Sequence, residues 1–405
     1  MDTMRGKCLS MKCQEELGMP VISRRAQDAL YPSVREMFEL AAGVPDVISF
    51  AVGEPGFDTP RPMIDAAYQA AIHGDTHYTP NRGTLALREA WCRYRNVQDD
   101  TDYDPDSEII VTAGGMEAVY LAMISTLDAG DDILISDPGY ANYFGQAQMT
   151  QTNVVPVPLY EDNGFRMRAA DVEASITPRT KALLLNSPSN PTGAIIGPDE
   201  LAAIADVARR HDLWVISDEV YRAFVYDDHV HCLSISAMPG MKERTVVVDS
   251  FSKTFAMTGW RIGCAFGPKS IIDQMTVMQE NVVSCVPGAL QQGAVAALDG
   301  SADILSTMKA AYRANRDTVA QAVAGMPLVS CDVPDGAFYI LVNVAATGMN
   351  DRDFAIRLLN EAHVVVTPAS GFGSRGRGYV RLSYVGTSED TAEGLRRMKA
   401  WLERL

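Results

Sequence analysis

Through the middle of the chain, apolar and β-branched residues gather in short runs at 108–112, 133–136, 154–157, 182–185, 213–217, 245–249 and 262–266. Between several of these runs, as at 116–127 and 198–211, apolar positions recur every three and four residues, the period of an amphipathic helix. Strand and helix alternating at this spacing predict an α/β fold with a mostly parallel sheet covered on both faces. Sites in such sheets form at the carboxyl ends of the strands.

From about Leu305 the texture changes. A helix over 306–324 leads to a strand at 337–343, a helix at 351–362 and strands at 364–367 and 379–384. A closing helix begins at Thr387-Ser388-Glu389-Asp390, where a hydroxyl can cap the first turn. This reads as a smaller α+β unit. The stretch Gly373-Ser374-Arg375-Gly376-Arg377-Gly378 reads as a flexible loop, and the first 22 residues as a flexible arm.

A formal net charge of −16 over 405 residues argues against general affinity for nucleic acid or anionic membranes. No apolar run approaches the roughly 20 residues of a membrane span, and the N-terminal sequence has no apolar core of a secretory signal, so a cytoplasmic protein is expected. The seven cysteines form no C-x-x-C pair, which suits reduced thiols and neither a disulfide framework nor a zinc site.

Several strand ends carry chemistry. Ser250-Phe251-Ser252-Lys253 follows the run 245–248, with Arg261 eight residues beyond the lysine. Partial burial and a nearby guanidinium would lower the lysine pKa and make its amine nucleophilic. Alone, this spacing fits a lysine in a polar loop equally well. Thr112-Ala113-Gly114-Gly115-Met116 opens a helix after a strand, where backbone N–H groups can meet an anion. Tyr140 comes off the run 133–136 and could lie flat on a ring or cap the core. Asn186-Ser187-Pro188-Ser189-Asn190-Pro191-Thr192-Gly193 forces a rigid non-helical path, and a cis Asn190–Pro191 bond is expected. Asp218 ends an apolar strand, and a buried carboxylate needs a partner. A metal would need accompanying His or Cys ligands, which are missing around it. Arg381 sits in a strand with apolar neighbours, either as a structural ion pair or as a fork for a carboxylate.

Together, S-x-S-K-x-x-x-x-x-G-W-R-x-G, N-P-T-G and the strand-borne aspartate resemble the class I/II aminotransferases of fold type I, from about Arg24 to the C-terminus. The resemblance implies a large domain, 59–305, that binds pyridoxal 5′-phosphate, and a small domain made from both chain ends, 23–58 and 306–405. It implies that Lys253 forms the Schiff base with the cofactor. The phosphate would lie against the amides of Gly115 and Met116 with Ser250, Ser252 and Arg261, and Tyr78 would reach the phosphate of a neighbouring subunit in a homodimer. Tyr140 would stack on the ring, Asn190 and Tyr221 would bond its phenolic oxygen, and Asp218 its nitrogen. Arg381, with Asn190 and the backbone of Gly53, would grip the substrate α-carboxylate.

The implied activity is transfer of an amino group from an L-amino acid to a 2-oxo acid, with 2-oxoglutarate the usual acceptor. A lyase on the same scaffold and a non-catalytic sensor domain are the alternatives, the second weakened by the acidic charge and the lack of a basic helix-turn-helix. Some aspartate-using relatives place a lysine after the Gly-Gly, where this chain has Met116, or an arginine four residues before the position of Ser284, where it has Glu280. A neutral aromatic or aliphatic donor is therefore expected, with Arg24 or Arg25 as the cation for 2-oxoglutarate.

Overall fold

The computed structural model describes residues 20–30, 33–227, 229–230, 232–300 and 302–405. The first nineteen positions of the expected N-terminal arm lie outside them. Strands appear in chain order as β1 (Ile48–Ser49), β2 (Ile109–Thr112), β3 (Asp132–Asp137), β4 (Asn153–Pro158), β5 (Thr180–Asn186), β6 (Trp214–Asp218), β7 (Thr245–Ser250), β8 (Gly263–Phe266), β9 (Tyr339–Asn343), β10 (Val364–Val365), β11 (Thr367–Pro368) and β12 (Tyr379–Ser383).

A seven-stranded sheet in the order β2-β8-β7-β6-β5-β3-β4 forms the centre. The pairs β7–β6, β6–β5, β5–β3 and β3–β4 are parallel, and only β8 runs against its neighbours. Period-two alternation explains why both faces are covered. Leu183, Leu185 and Val215 face a core that includes the helix Pro198–Arg210, whereas Ala182, Leu184 and Ile216 face one that includes the helix Gly115–Thr126. Each such buried leucine, isoleucine or valine contributes roughly 1.5–3 kcal/mol. The predicted helices 116–127 and 198–211 are thus found within a residue of their expected ends.

A second body packs on the carboxyl ends of this sheet's strands. In it β11, β12 and β9 form an antiparallel sheet, while β1 and β10 pair in parallel, Ile48 opposite Val364. Its core joins Met37, Phe50 and Ala51 from near the N-terminus to Phe338, Val380 and Trp401 from the C-terminal third. The single strand predicted over 364–367 is two strands serving different sheets. After Val365 the chain leaves β1, and at Thr367 it joins Arg381 on β12.

The predicted flexible loop 373–378 is also corrected. It holds a 3-10 turn at Ser374–Gly376 tied to Asp137, whose carboxylate accepts from Ser374 Oγ at 2.6 Å and from Arg375 N at 2.9 Å. Among the described residues no helix is long and apolar enough to cross a membrane.

Candidate active site

At the ends of β5, β6 and β7 lies a cavity of about 380 Å³. Asn186, Asp218 and Ser250 close those strands, and Asn186 stands opposite Asp218 in the sheet register. Twelve of the nominated residues line the cavity: Gly53, Gly115, Met116, Tyr140, Asn190, Asp218, Tyr221, Ser250, Ser252, Lys253, Arg261 and Arg381. Tyr78 does not. It is 90 % exposed on the surface of the chain.

Ser250 ends β7 and caps the short helix Phe251–Thr254, its Oγ accepting from Ser252 N at 3.1 Å and donating to Ser252 Oγ at 2.9 Å. That turn brings Lys253 back over the sheet, where Nζ donates to Gly53 O at 2.7 Å. Burial holds the Lys253 pKa down at about 8, with Arg261 and Arg381 adding to the effect and Glu54 and Asp218 opposing it.

Beside it, Gly114 (φ +84°) turns the chain into the helix Gly115–Thr126, whose first turn has no side-chain cap, so its leading N–H groups remain available. The approach is tight. A Cβ on Gly114 would lie 2.4 Å from Arg261 Nη2, and one on Gly263 2.5 Å from Gly114 C and Gly115 N. Arg261 itself donates to Thr258 O at 3.0 Å.

Asp218 is enclosed. Tyr143 Oη donates to its Oδ2 at 2.6 Å and Val220 N to its Oδ1 at 3.3 Å. No cation within 4 Å pairs with it among the described residues, and burial pushes its pKa up to about 6. Asn186 steadies this corner from β5, donating to Asp218 O at 3.1 Å and accepting from Asn190 N at 2.7 Å. The Asn190–Pro191 bond is cis as expected, as are Asp137–Pro138 and Ser187–Pro188.

Arg381 is buried on β12 without any acidic partner among the described residues, which removes the structural ion pair as an explanation. Nη1 donates to Asn190 Oδ1 at 3.0 Å and Nη2 to Ala51 O at 2.9 Å, while Nε has no partner. The guanidinium lies 4.4 Å from the ring centre of Tyr339 and 4.9 Å from that of Phe372. Tyr221 and Tyr339 share a hydrogen bond at 3.0 Å.

Residues 45–398 match the family described as aminotransferase class I and II. The chain belongs to that family. It is 41 % identical over 377 residues to the aspartate aminotransferase of Pyrococcus abyssi, covering 92 % of this chain and 96 % of the relative. It is 38 % identical over 374 residues to aromatic-amino-acid aminotransferase 2 of Thermococcus litoralis, covering 91 % and 95 %. Among solved structures, the aspartate aminotransferase of Rhizobium meliloti superposes with a TM-score of 0.90 at 34 % identity, covering 95 % of this chain and all of that one. The protein is a pyridoxal-phosphate-dependent amino acid aminotransferase of fold type I.

Several residues of the aminotransferase's cavity carried no sequence signal of their own. Tyr143 is three positions beyond Tyr140, and its contact with Asp218 depends on how the helix Ala141–Thr150 lies on the sheet. Tyr339 opens the apolar strand β9, and Val34, Arg35 and Phe38 come from the helix Ser33–Ala41. Arg24 and Arg25, the cations nominated for an acidic acceptor, are exposed on a four-residue helix and do not line the cavity. Glu280 and Ser284 do not line it either.

Behind the site a buried charge network joins β6 to β7. Arg95 meets Glu219, Asp99 at 2.5 Å and Asp249 at 4.0 Å, while Glu219 accepts from Ser217 Oγ at 2.9 Å and Ser234 Oγ at 2.7 Å. Glu219 follows Asp218 and Asp249 precedes Ser250, so the network fixes the two strand ends against each other.

Proposed function

We propose that the cavity holds pyridoxal 5′-phosphate with its phosphate at Gly115, Met116, Ser250, Ser252 and Arg261 and its ring nitrogen at Asp218, and that the enzyme moves the amino group of a neutral L-amino acid to a 2-oxo acid. The donor set fits this group. An enclosed carboxylate without a cation, an uncapped helix start and a lysine of lowered pKa are what a ring nitrogen, a phosphate and an aldehyde would each require.

When bound, the cofactor supplies an electron sink for the substrate's α-carbon. The chain's residues do the rest. Asp218, kept ionised by pairing with the ring nitrogen, would hold that nitrogen protonated. Asn190 and Tyr221 would hold the phenolic oxygen, and Tyr140 would flank the ring. Arg381 and the Gly53 backbone orient the α-carboxylate, so that the amino acid's Cα–H bond is presented to Lys253. Its neutral amine then takes up the proton.

The buried guanidinium of Arg381, lacking any acid yet fixed by Asn190 and Ala51, carries the reading most directly. The apolar wall of Val34, Phe38 and Met116 supports a neutral donor. The exposure of Tyr78 supports a homodimer in which it serves the neighbouring site.

The test is the visible spectrum of the holoenzyme during addition of single amino acids with no 2-oxo acid present. A visible band absent from Lys253→Ala, bleached by neutral amino acids with release of one equivalent of 2-oxo acid, is the expected result. Release of ammonia with the band restored would overturn it in favour of a lyase. Faster bleaching by aspartate than by every neutral donor would overturn the donor class.

A further inference from the structure

Three arginines line the cavity, and two are engaged. Arg261 lies against Gly114 beside the helix start, and Arg381 is locked between Asn190 and Ala51. The third, Arg35, is exposed on the helix Ser33–Ala41 and makes no hydrogen bond or ion pair with the described residues.

That helix is secured by other side chains. Met37 is buried in the core of the second body, Glu36 accepts from Arg352 at 2.6 Å, and Ser33 Oγ reaches Pro368 O at 3.5 Å. Val34, Arg35 and Phe38 are left to form the cavity wall. Among the described residues that line the cavity, Asp218 is the only acidic one.

A monocarboxylic substrate needs one cation besides those at the phosphate. A dicarboxylic one brings a second charge, and the cavity has a single uncommitted guanidinium for it, set in an otherwise apolar wall. We propose that Arg35 determines specificity for dicarboxylic substrates by taking the distal carboxylate of a 2-oxo diacid such as 2-oxoglutarate, or of the matching amino acid. With a neutral side chain bound, the same guanidinium turns out to water on its flexible stem and leaves Val34, Phe38 and Met116 as the contact surface. One site thereby serves a neutral donor and an acidic acceptor in alternate half-reactions. This assignment rests on the reading of the cavity as the amino-transfer site.

The experiment titrates the holoenzyme of wild type, Arg35→Gln and Arg35→Lys with succinate and with butyrate, acids of equal length that differ in the second carboxylate. KM and kcat are measured for 2-oxoglutarate and 2-oxobutyrate. In Arg35→Gln, succinate affinity and the preference for 2-oxoglutarate over 2-oxobutyrate should each fall about ten-fold, through KM, and Arg35→Lys should recover most of the loss. An unchanged preference in both variants, or equal weakening of succinate and butyrate, would overturn the assignment. If the wild type transferred no amino group to any 2-oxo acid yet bound succinate through Arg35, the functional reading would fail and the binding assignment would stand.

Discussion

Tyr143 Oη donates to the Asp218 carboxylate at 2.6 Å, which makes it, among the described residues, the one side-chain hydroxyl holding an otherwise enclosed acid. Asp218 has its pKa raised from 3.8 to about 6 by burial. In cofactor-free protein such a group contributes stability that is fully present below pH 3.8 and lost as pH rises through about 6. The loss is on the order of 1–3 kcal/mol. Asp218→Asn removes the carboxylate proposed to pair with the cofactor's ring nitrogen and should lower kcat by about 10²–10³-fold. The same variant, freed of its cofactor, should melt higher than wild type at neutral pH, with the gap closing in acid. Thermal unfolding of both cofactor-free proteins across that range checks the sign, and a variant that is less stable at neutral pH would contradict it.

Lys253, with a pKa near 8, is neutral in useful amount close to neutral pH. The rate at which cofactor-free protein takes up pyridoxal 5′-phosphate should rise with pH and reach half its plateau near 8. Stopped-flow absorbance gives that midpoint directly, and a value near the ordinary lysine range would mean that burial does not tune this amine.

Arg381→Lys keeps a charge but loses the planar fork that spans Asn190 and Ala51. It should cost about 2–5 kcal/mol of substrate binding, raising KM for every amino donor by at least about 30-fold. A rise confined to some donors would show that Arg381 reads the side chain instead of the α-carboxylate.

Gly263→Ala puts a methyl group 2.5 Å from the backbone of Gly114 and Gly115, whereas Gly259 has nothing within 4 Å of its would-be Cβ. The first change should destabilise the protein by about 1–3 kcal/mol and weaken cofactor affinity. Gly259→Ala, four residues away, should do neither. Melting curves and cofactor titration of the pair separate crowding of the anion cradle from a general effect on this segment.

The sequence discloses those parts of the site that need a particular residue at a strand end. Asp218 and Arg381 are legible because each is a charged group in or at the end of an apolar run, where a buried charge requires a reason, whereas Asn190 and Lys253 are legible through the proline-rich turn and the S-x-S-K motif that carry the family resemblance. Tyr143, Tyr339 and Arg35 were not legible, since a tyrosine or arginine on a helix or in a strand declares its role only once the element is docked. The same limit hid the break between β10 and β11, where one apolar run divides between two sheets, and it hid Asp137 as the anchor of the loop 373–378. The Arg95 network was equally silent, because its acids come from three distant segments.

Arg381 and the Ala51 carbonyl that receives its hydrogen bond are 330 residues apart, and among the described residues β1 pairs with β10 alone. On a ribosome, the segment containing Ala51 and Gly53 would emerge long before the partners that it pairs with. The central sheet can close earlier, from contacts within the middle of the chain. On the proposed reading of the cavity, a nascent chain would own its lysine and phosphate cradle well before it could grip a substrate, and amino-group chemistry would wait for Arg381 to be made.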